Sequence, residues 1–169
     1  MAYEILTAFL FFNLCFFVEM IRIKEELYKQ CLKYVEECIN TAQLAIEDAR
    51  ESANDDTKSS AGDKFETGRE MMQQEIDRNR KQLAESKKMK HILEQIENHQ
   101  VSEIVHAGSL VITNFGKFYI SISRGQLQVD GTNYFAISAV SPIGLILMRQ
   151  KIGYEFDFNG KPFKIESIF

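Results

Sequence analysis

Residues 23–53 read IKEELYKQCLKYVEECINTAQLAIEDARESA, and the fold turns on this stretch. It holds neither Gly nor Pro. Its apolar residues Ile23, Leu27, Cys31, Val35, Cys38, Ala42, Ala45 and Ala49 recur at steps of three and four. That spacing keeps them on one face of a helix. The stripe is narrow, as in a two-helix coil rather than a globular core helix. It shrinks to alanine at its far end, where a partner helix can come close.

The partner follows directly. Residues 52–62, SANDDTKSSAG, break the apolar pattern with Ser, Asn, Asp and Gly at a density that marks a turn. Ser60 with Asp63 three residues on reads as a capping box, which predicts a second helix starting near Ala61. That helix carries Phe65, Met72, Ile76, Leu83, Ile92 and Ile96 among charged residues and runs to about Glu97. Met71 and Met72 read as part of its seam. Each arm is roughly 30 residues, or about 45 Å. Two such arms joined by a short turn must lie antiparallel. The expected layout is a helical hairpin over 20–98 with its tip near 54–62.

Charge is uneven along that hairpin. Glu47, Asp48, Glu51, Asp55, Asp56, Asp63 and Glu66 gather toward the tip, while Arg78, Arg80, Lys81, Lys87, Lys88 and Lys90 lie farther along the second arm. A solvated surface with acids favoured near a helix start explains Asp63 and Glu66. It explains Asp55 and Asp56 less well, because this reading places them in the turn itself.

From Val101 onward β-branched and aromatic residues take over. Strands are predicted at 110–113, 117–123, 133–138, 154–158 and 163–168, with Asn159-Gly160 as a hairpin turn. One short helix interrupts them: Ser141 suits the N-cap, Pro142 the first helical position and Gly153 the exit. The fold class is therefore α+β, a helical hairpin followed by a small, mostly antiparallel β domain over 101–169.

The first nineteen residues differ from the rest. Ala8–Val18 reads AFLFFNLCFFV, about half the length of a spanning helix, with only Glu4 charged before it. A secretory signal needs a basic start and a small-residue cleavage site, and neither is present. The expectation is that translation starts at Met20, that 1–19 is an extension, and that no stable membrane association follows. A segment of this kind, if made, is sticky enough to insert at a membrane surface.

Composition narrows the function. The formal charge of −4 argues against coating nucleic acid by bulk attraction. Cys15, Cys31 and Cys38 form no CxxC pair, and Cys31 and Cys38 share a helical face as small core residues; a reducing cytoplasm is the expected home. His91, His99 and His106 are too far apart for a local metal site. No G-x-S-x-G serine context and no phosphate-binding Gly-rich loop occurs.

The stretch SPIGLILMRQKIG at 141–153, followed by Tyr154-Glu155-Phe156 and closing on Phe163-Lys164-Ile165-Glu166-Ser167-Ile168, resembles the C-terminal signature of the bacterial Gre transcript-cleavage factors. Those proteins place an FKBP-like domain behind an N-terminal coiled-coil hairpin, the order read here from periodicity, so the resemblance covers nearly all of 23–169. Ala49-Arg50-Glu51 is similar to the family's Ala-Arg-Glu before its acidic turn, and Asp56 falls on the family's aspartate. Two positions depart: Gly153-Tyr154 stands where the family usually has Gly-Asp, and Ser59 where it has glutamate.

The resemblance implies an RNA-polymerase-binding elongation factor. Its tip would enter the secondary channel and stimulate the polymerase's own cleavage of backtracked RNA near the 3′ end. On that reading the protein is not itself an enzyme. Asp55 and Asp56, with Asp63 behind them, are the residues expected to help hold a second Mg²⁺ shared with the polymerase, and the protein has no cofactor of its own. Polymerase contacts are expected around Ser141, Pro142, Ile143 and Gly144. Two alternatives stand beside this reading: a non-cleaving occupant of the polymerase channel, and an FKBP-like peptidyl-prolyl isomerase. The isomerase needs an open aromatic pocket.

Overall fold

The computed structural model describes residues 2–56, 64–97 and 102–169. It is α+β. Helix α1 (Ala2–Asp56) and helix α2 (Lys64–Glu94) precede strands β1 (Leu110–Thr113), β2 (Gly116–Ser121), β3 (Gly125–Val129) and β4 (Thr132–Ser138). The short helix α3 (Pro142–Leu147) and strands β5 (Glu155–Phe158) and β6 (Lys161–Ile168) complete the chain. Among the described residues no helix is long and apolar enough to cross a membrane. The chain divides into two compact units, Leu32–His91 and Met1–Cys31 with Ile92–Phe169.

Within the helical unit, Ile46 and Ala49 of α1 pack with Ile76 and Leu83 of α2, and Lys90 pairs with Glu36 at 3.2 Å. Residue numbers climb along one helix as they fall along the other, so the two run antiparallel. Of the expected α1 stripe, Val35, Ala42 and Ala49 are buried here, while Cys38 and Ala45 are half-buried. Ile46, left out of the expected stripe, is also buried. The α2 stripe differs more. Asn79 and Ser86 are buried seam residues and Met71 lies outside the seam, 65% exposed; past the end of this unit, Ile92 is exposed and Leu93 buried. A seam that alternates apolar with polar residues hides its phase from an apolar-periodicity reading.

In the other unit the sheet runs β3-β4-β2-β1-β6-β5. All neighbours are antiparallel except β2 and β4, which pair in parallel from Phe118↔Phe135 to Ser121↔Ser138. β2 is buried on both faces, so its residues divide by parity. Phe118 and Ile120 join Val111, Ile143, Leu147, Phe163 and Ile165 in one core. Ser121 points the opposite way, where its Oγ lies 3.8 Å from Cys31 Sγ on α1. The N-terminal part of α1 is fastened along this second face. Gln30 Nε2 donates to the Gln128 carbonyl at 3.0 Å, and Arg22 pairs with both Glu19 and Asp130.

Two sequence expectations change here. Strand β3 was not expected. Its sequence GQLQV has only Leu127 and Val129 to bury, and it is held by pairing to β4 across the Asp130-Gly131 turn, where both residues have positive φ (49° and 73°). The short helix was expected to continue toward Gly153 and stops instead at Leu147. Beyond it Arg149 N donates to the Val105 carbonyl and Val105 N to the Gln150 carbonyl, both at 2.9 Å, so pairing with a distant segment replaces further helix.

Candidate functional site

Two regions were singled out by sequence, and the structure treats them differently. At the tip, α1 continues through Asp56. Asp55 and Asp56 are therefore its last two residues rather than members of a free turn. The reason is local: Ser52 to Asp56 contains no Gly or Pro to stop a helix. Asp63, Ser59 and the Ser60 capping box lie outside the described residues.

This placement has an electrostatic cost. The C-terminal end of a helix carries the negative pole of its macrodipole, where basic side chains are favoured and acids are not. The last turn of α1 has no basic residue. Glu47 and Glu51 stand four apart on one helix face, a repulsive spacing for like charges. Glu47, Asp48 and Glu51 are exposed. Each unfavourable charge costs about 0.3–1 kcal/mol when exposed. A cation brought to this end relieves both repulsions. Carboxylates are hard oxygen donors, and Mg²⁺ needs only one or two of them because it keeps several waters. Among the described residues no preassembled group of three or more potential metal ligands occurs.

The second region is the start of α3. Ser141 is its N-cap: Oγ accepts from Gly144 N at 3.2 Å and donates to the Ser138 carbonyl at 2.7 Å. One hydroxyl thus ties the helix start to the end of β4. Pro142 sits exposed in the first turn, where its missing N–H costs nothing. Ile143 and Gly144 are buried. A Cβ on Gly144 would stand 2.1 Å from the Ser138 carbonyl oxygen, so the site requires glycine. Of the four residues, Ile143 and Gly144 hold the helix to the sheet. The outward surface is made by Pro142 with Val140 and Leu145, which are 77% and 65% exposed.

Lys24 carries chemistry that sequence reading passed over. It is 2% exposed, and burial pulls its ammonium pKa down to about 8. Its position between Ile23 and Leu27 on α1 was a legible signal, since a lysine adjoining an apolar stripe is carried toward the packed face. His106 is engaged locally, with Nδ1 2.6 Å from the Ala107 carbonyl. Cys31 is a buried thiol whose pKa is raised by burial, which keeps it inert.

No protein-family model matches the chain, and no curated protein matches it either.

Proposed function

We propose that this chain is a Gre-like factor that binds RNA polymerase, enters its secondary channel with the tip of an antiparallel coiled coil, and promotes cleavage of backtracked transcripts. The supporting observation is the acid-rich C-terminal end of a 55-residue helix with no basic residue in its last turn. Charge arranged against the helix dipole is costly unless a cation meets it. A polymerase active site supplies such a cation. Asp55 and Asp56 would help hold a second Mg²⁺ there, with Asp63 a weaker third. Bound Mg²⁺ supplies Lewis acidity for hydrolysis at the RNA 3′ end. The chain's own part is to deliver carboxylates along a helix long enough to reach a buried site.

The element order supports the same reading: two long helices, then a small sheet with one Ser-capped helix, as in the FKBP-like domain of that family. Pro142, with Val140 and Leu145, supplies the polymerase-docking surface of that domain. Ser59, at the family's glutamate position, favours a second reading in which the chain occupies the channel without cleavage. The isomerase reading ranks last. Phe118 and Phe163 are buried and Phe156 stacks on Phe163 at 5.2 Å, so these rings are used in packing rather than in framing an open pocket.

The test is a stalled, backtracked elongation complex with Mg²⁺ and a labelled transcript. Shortening that disappears in Asp55→Asn/Asp56→Asn establishes the cleavage factor. Competition with a known channel-binding factor without shortening establishes the non-cleaving occupant. The absence of both shortening and competition sinks the proposal.

A further inference from the structure

The sheet has two edges, β3 and β5. They are finished differently. At the β3 edge α1 takes up an outward backbone group, with Gln30 Nε2 on the Gln128 carbonyl, and Arg22 pairs with Asp130 in the turn beyond. β5 forms a hairpin with β6 through the two-residue turn Asn159-Gly160, both at positive φ (51° and 74°). In such a hairpin the pair closing the turn, Phe158 and Lys161, is hydrogen-bonded, and the pairs then alternate. The bond from Ile165 N to the Tyr154 carbonyl at 2.9 Å keeps that phase. Glu155 and Asp157 therefore turn their backbone N–H and C=O groups toward the outer edge, which is open among the described residues.

Side chains on this edge are sorted by face. Phe156 and Phe158 pack against the core, and Glu155 and Asp157 are exposed on the other side. Lys164 partners Glu155 at 2.7 Å, whereas Asp157 stands opposite Pro162, which offers no charge. A cleft of about 400 Å³ lies beside these residues, bounded by Asn114 and the hairpin. Asn114 holds the hairpin in place: its Nδ2 donates to the Pro162 carbonyl at 3.0 Å, and its Oδ1 accepts from Lys164 N at 2.9 Å.

We propose that the β5 edge is a docking site for an extended segment of a partner protein that adds a strand to the sheet and alternates basic with apolar residues. Main-chain bonds to Glu155 and Asp157 supply the attachment, and alternate side chains supply the selection. Basic residues meet the two carboxylates, and apolar residues continue the row of Phe156 and Phe158. Charge complementarity decides between occupants. A second copy of β5, paired antiparallel so that the Phe rows align, sets carboxylate against carboxylate and is rejected. An acidic segment is rejected for the same reason.

The experiment uses the full chain and a fluorescent peptide, Lys-Val-Lys-Val-Lys with blocked ends, followed by anisotropy. Glu-Val-Glu-Val-Glu and a Lys peptide N-methylated at alternate amides serve as comparisons. The Lys peptide is expected to bind and to protect the Glu155 and Asp157 amides from exchange, while both comparison peptides fail. Glu155→Lys/Asp157→Lys is expected to weaken the Lys peptide by at least about tenfold and to admit the Glu peptide. Equal binding of the N-methylated peptide reduces the effect to charge attraction and overturns the proposal, even if the double variant does not fold. Failure of the Lys peptide to bind also overturns it, leaving the acids as protection of a bare edge. Self-association of the chain through β5 overturns it in favour of a second copy.

Discussion

The helical unit and the sheet unit bury their residues by different means. In the helical unit the seam is one side chain wide, and its small residues Ala42 and Ala49 come to the level of the polar Ser86 and Asn79. In the sheet unit β2 is covered on both faces, and large side chains such as Phe118, Ile120, Leu147 and Ile165 interlock. Burying each large apolar side chain contributes about 1.5–3 kcal/mol, whereas an alanine or serine contributes little. Stability is therefore concentrated in the sheet, and the helix pair is drawn from the low-stability end of the molecule. Each unit also buries one group against its preference. In the sheet unit it is Lys24, 2% exposed; in the helix pair it is Asn79, 7% exposed, whose Nδ2 finds no partner among the described residues. The lesson is that a narrow seam of small and polar side chains and a thick core of large apolar ones give the two units different stabilities.

This contrast can be broken most directly in the sheet. Leu147→Ala, at a fully buried position, is expected to destabilise the chain by about 3 kcal/mol in urea unfolding. A loss no larger than that of an alanine substitution in the helix pair would erase the difference between the units. Lys24 gives the next largest effect, with the opposite sign. Its folded pKa, about 8, lies below the ordinary 10.5. Between these values the unfolded chain holds a proton that the folded chain has released, so stability rises with pH across that window and levels off above it. Below pH 8 both states are protonated and the full penalty applies. The rise is expected to be up to about 3 kcal/mol, and Lys24→Met should flatten it while stabilising the protein at pH 7.

Asn79→Leu sharpens the comparison from the other side. Replacing an unsatisfied buried amide with an apolar side chain is expected to stabilise the helix pair by about 1–2 kcal/mol. Amide exchange in 76–83 should slow while exchange in β2 stays unchanged; a slowing shared by both units would mean that they unfold together. The smallest effect is expected at α3, where Ser141→Ala removes the cap and should cost about 1 kcal/mol. Gly144→Ala at the same site should cost more, because its new Cβ meets the Ser138 carbonyl. Thermal unfolding of the two variants orders them.

Much of this architecture could be read from single residues with strong local chemistry. Ser141 and Pro142 announced α3, Asn159-Gly160 announced the last hairpin, and the Ile23-to-Ala49 spacing announced α1. In each case the conformation is set by a side chain acting on its own backbone or by a period that only one structure satisfies. The acidic tip residues were legible as a charge pattern, though their place on the helix was not. α1 runs on to Asp56 because nothing in residues 52–56 stops it.

What the tertiary structure alone decided are the features that depend on residues far apart in the chain. β3 exists because β4 pairs with it and Gln30 of α1 takes the Gln128 carbonyl, not because GQLQV prefers a strand. Leu93 rather than Ile92 is buried because packing sets the phase of a helix whose polar seam gives no phase of its own. α3 ends at Leu147 because Val105 takes over the backbone partners of the residues after it. The parallel β2–β4 pair and the open β5 edge likewise follow from strand order. By itself the sequence determined the two long helices, the start of α3 and the β5–β6 turn, since those choices are local. Which faces are buried, and which edge stays open, was decided by contacts between distant segments.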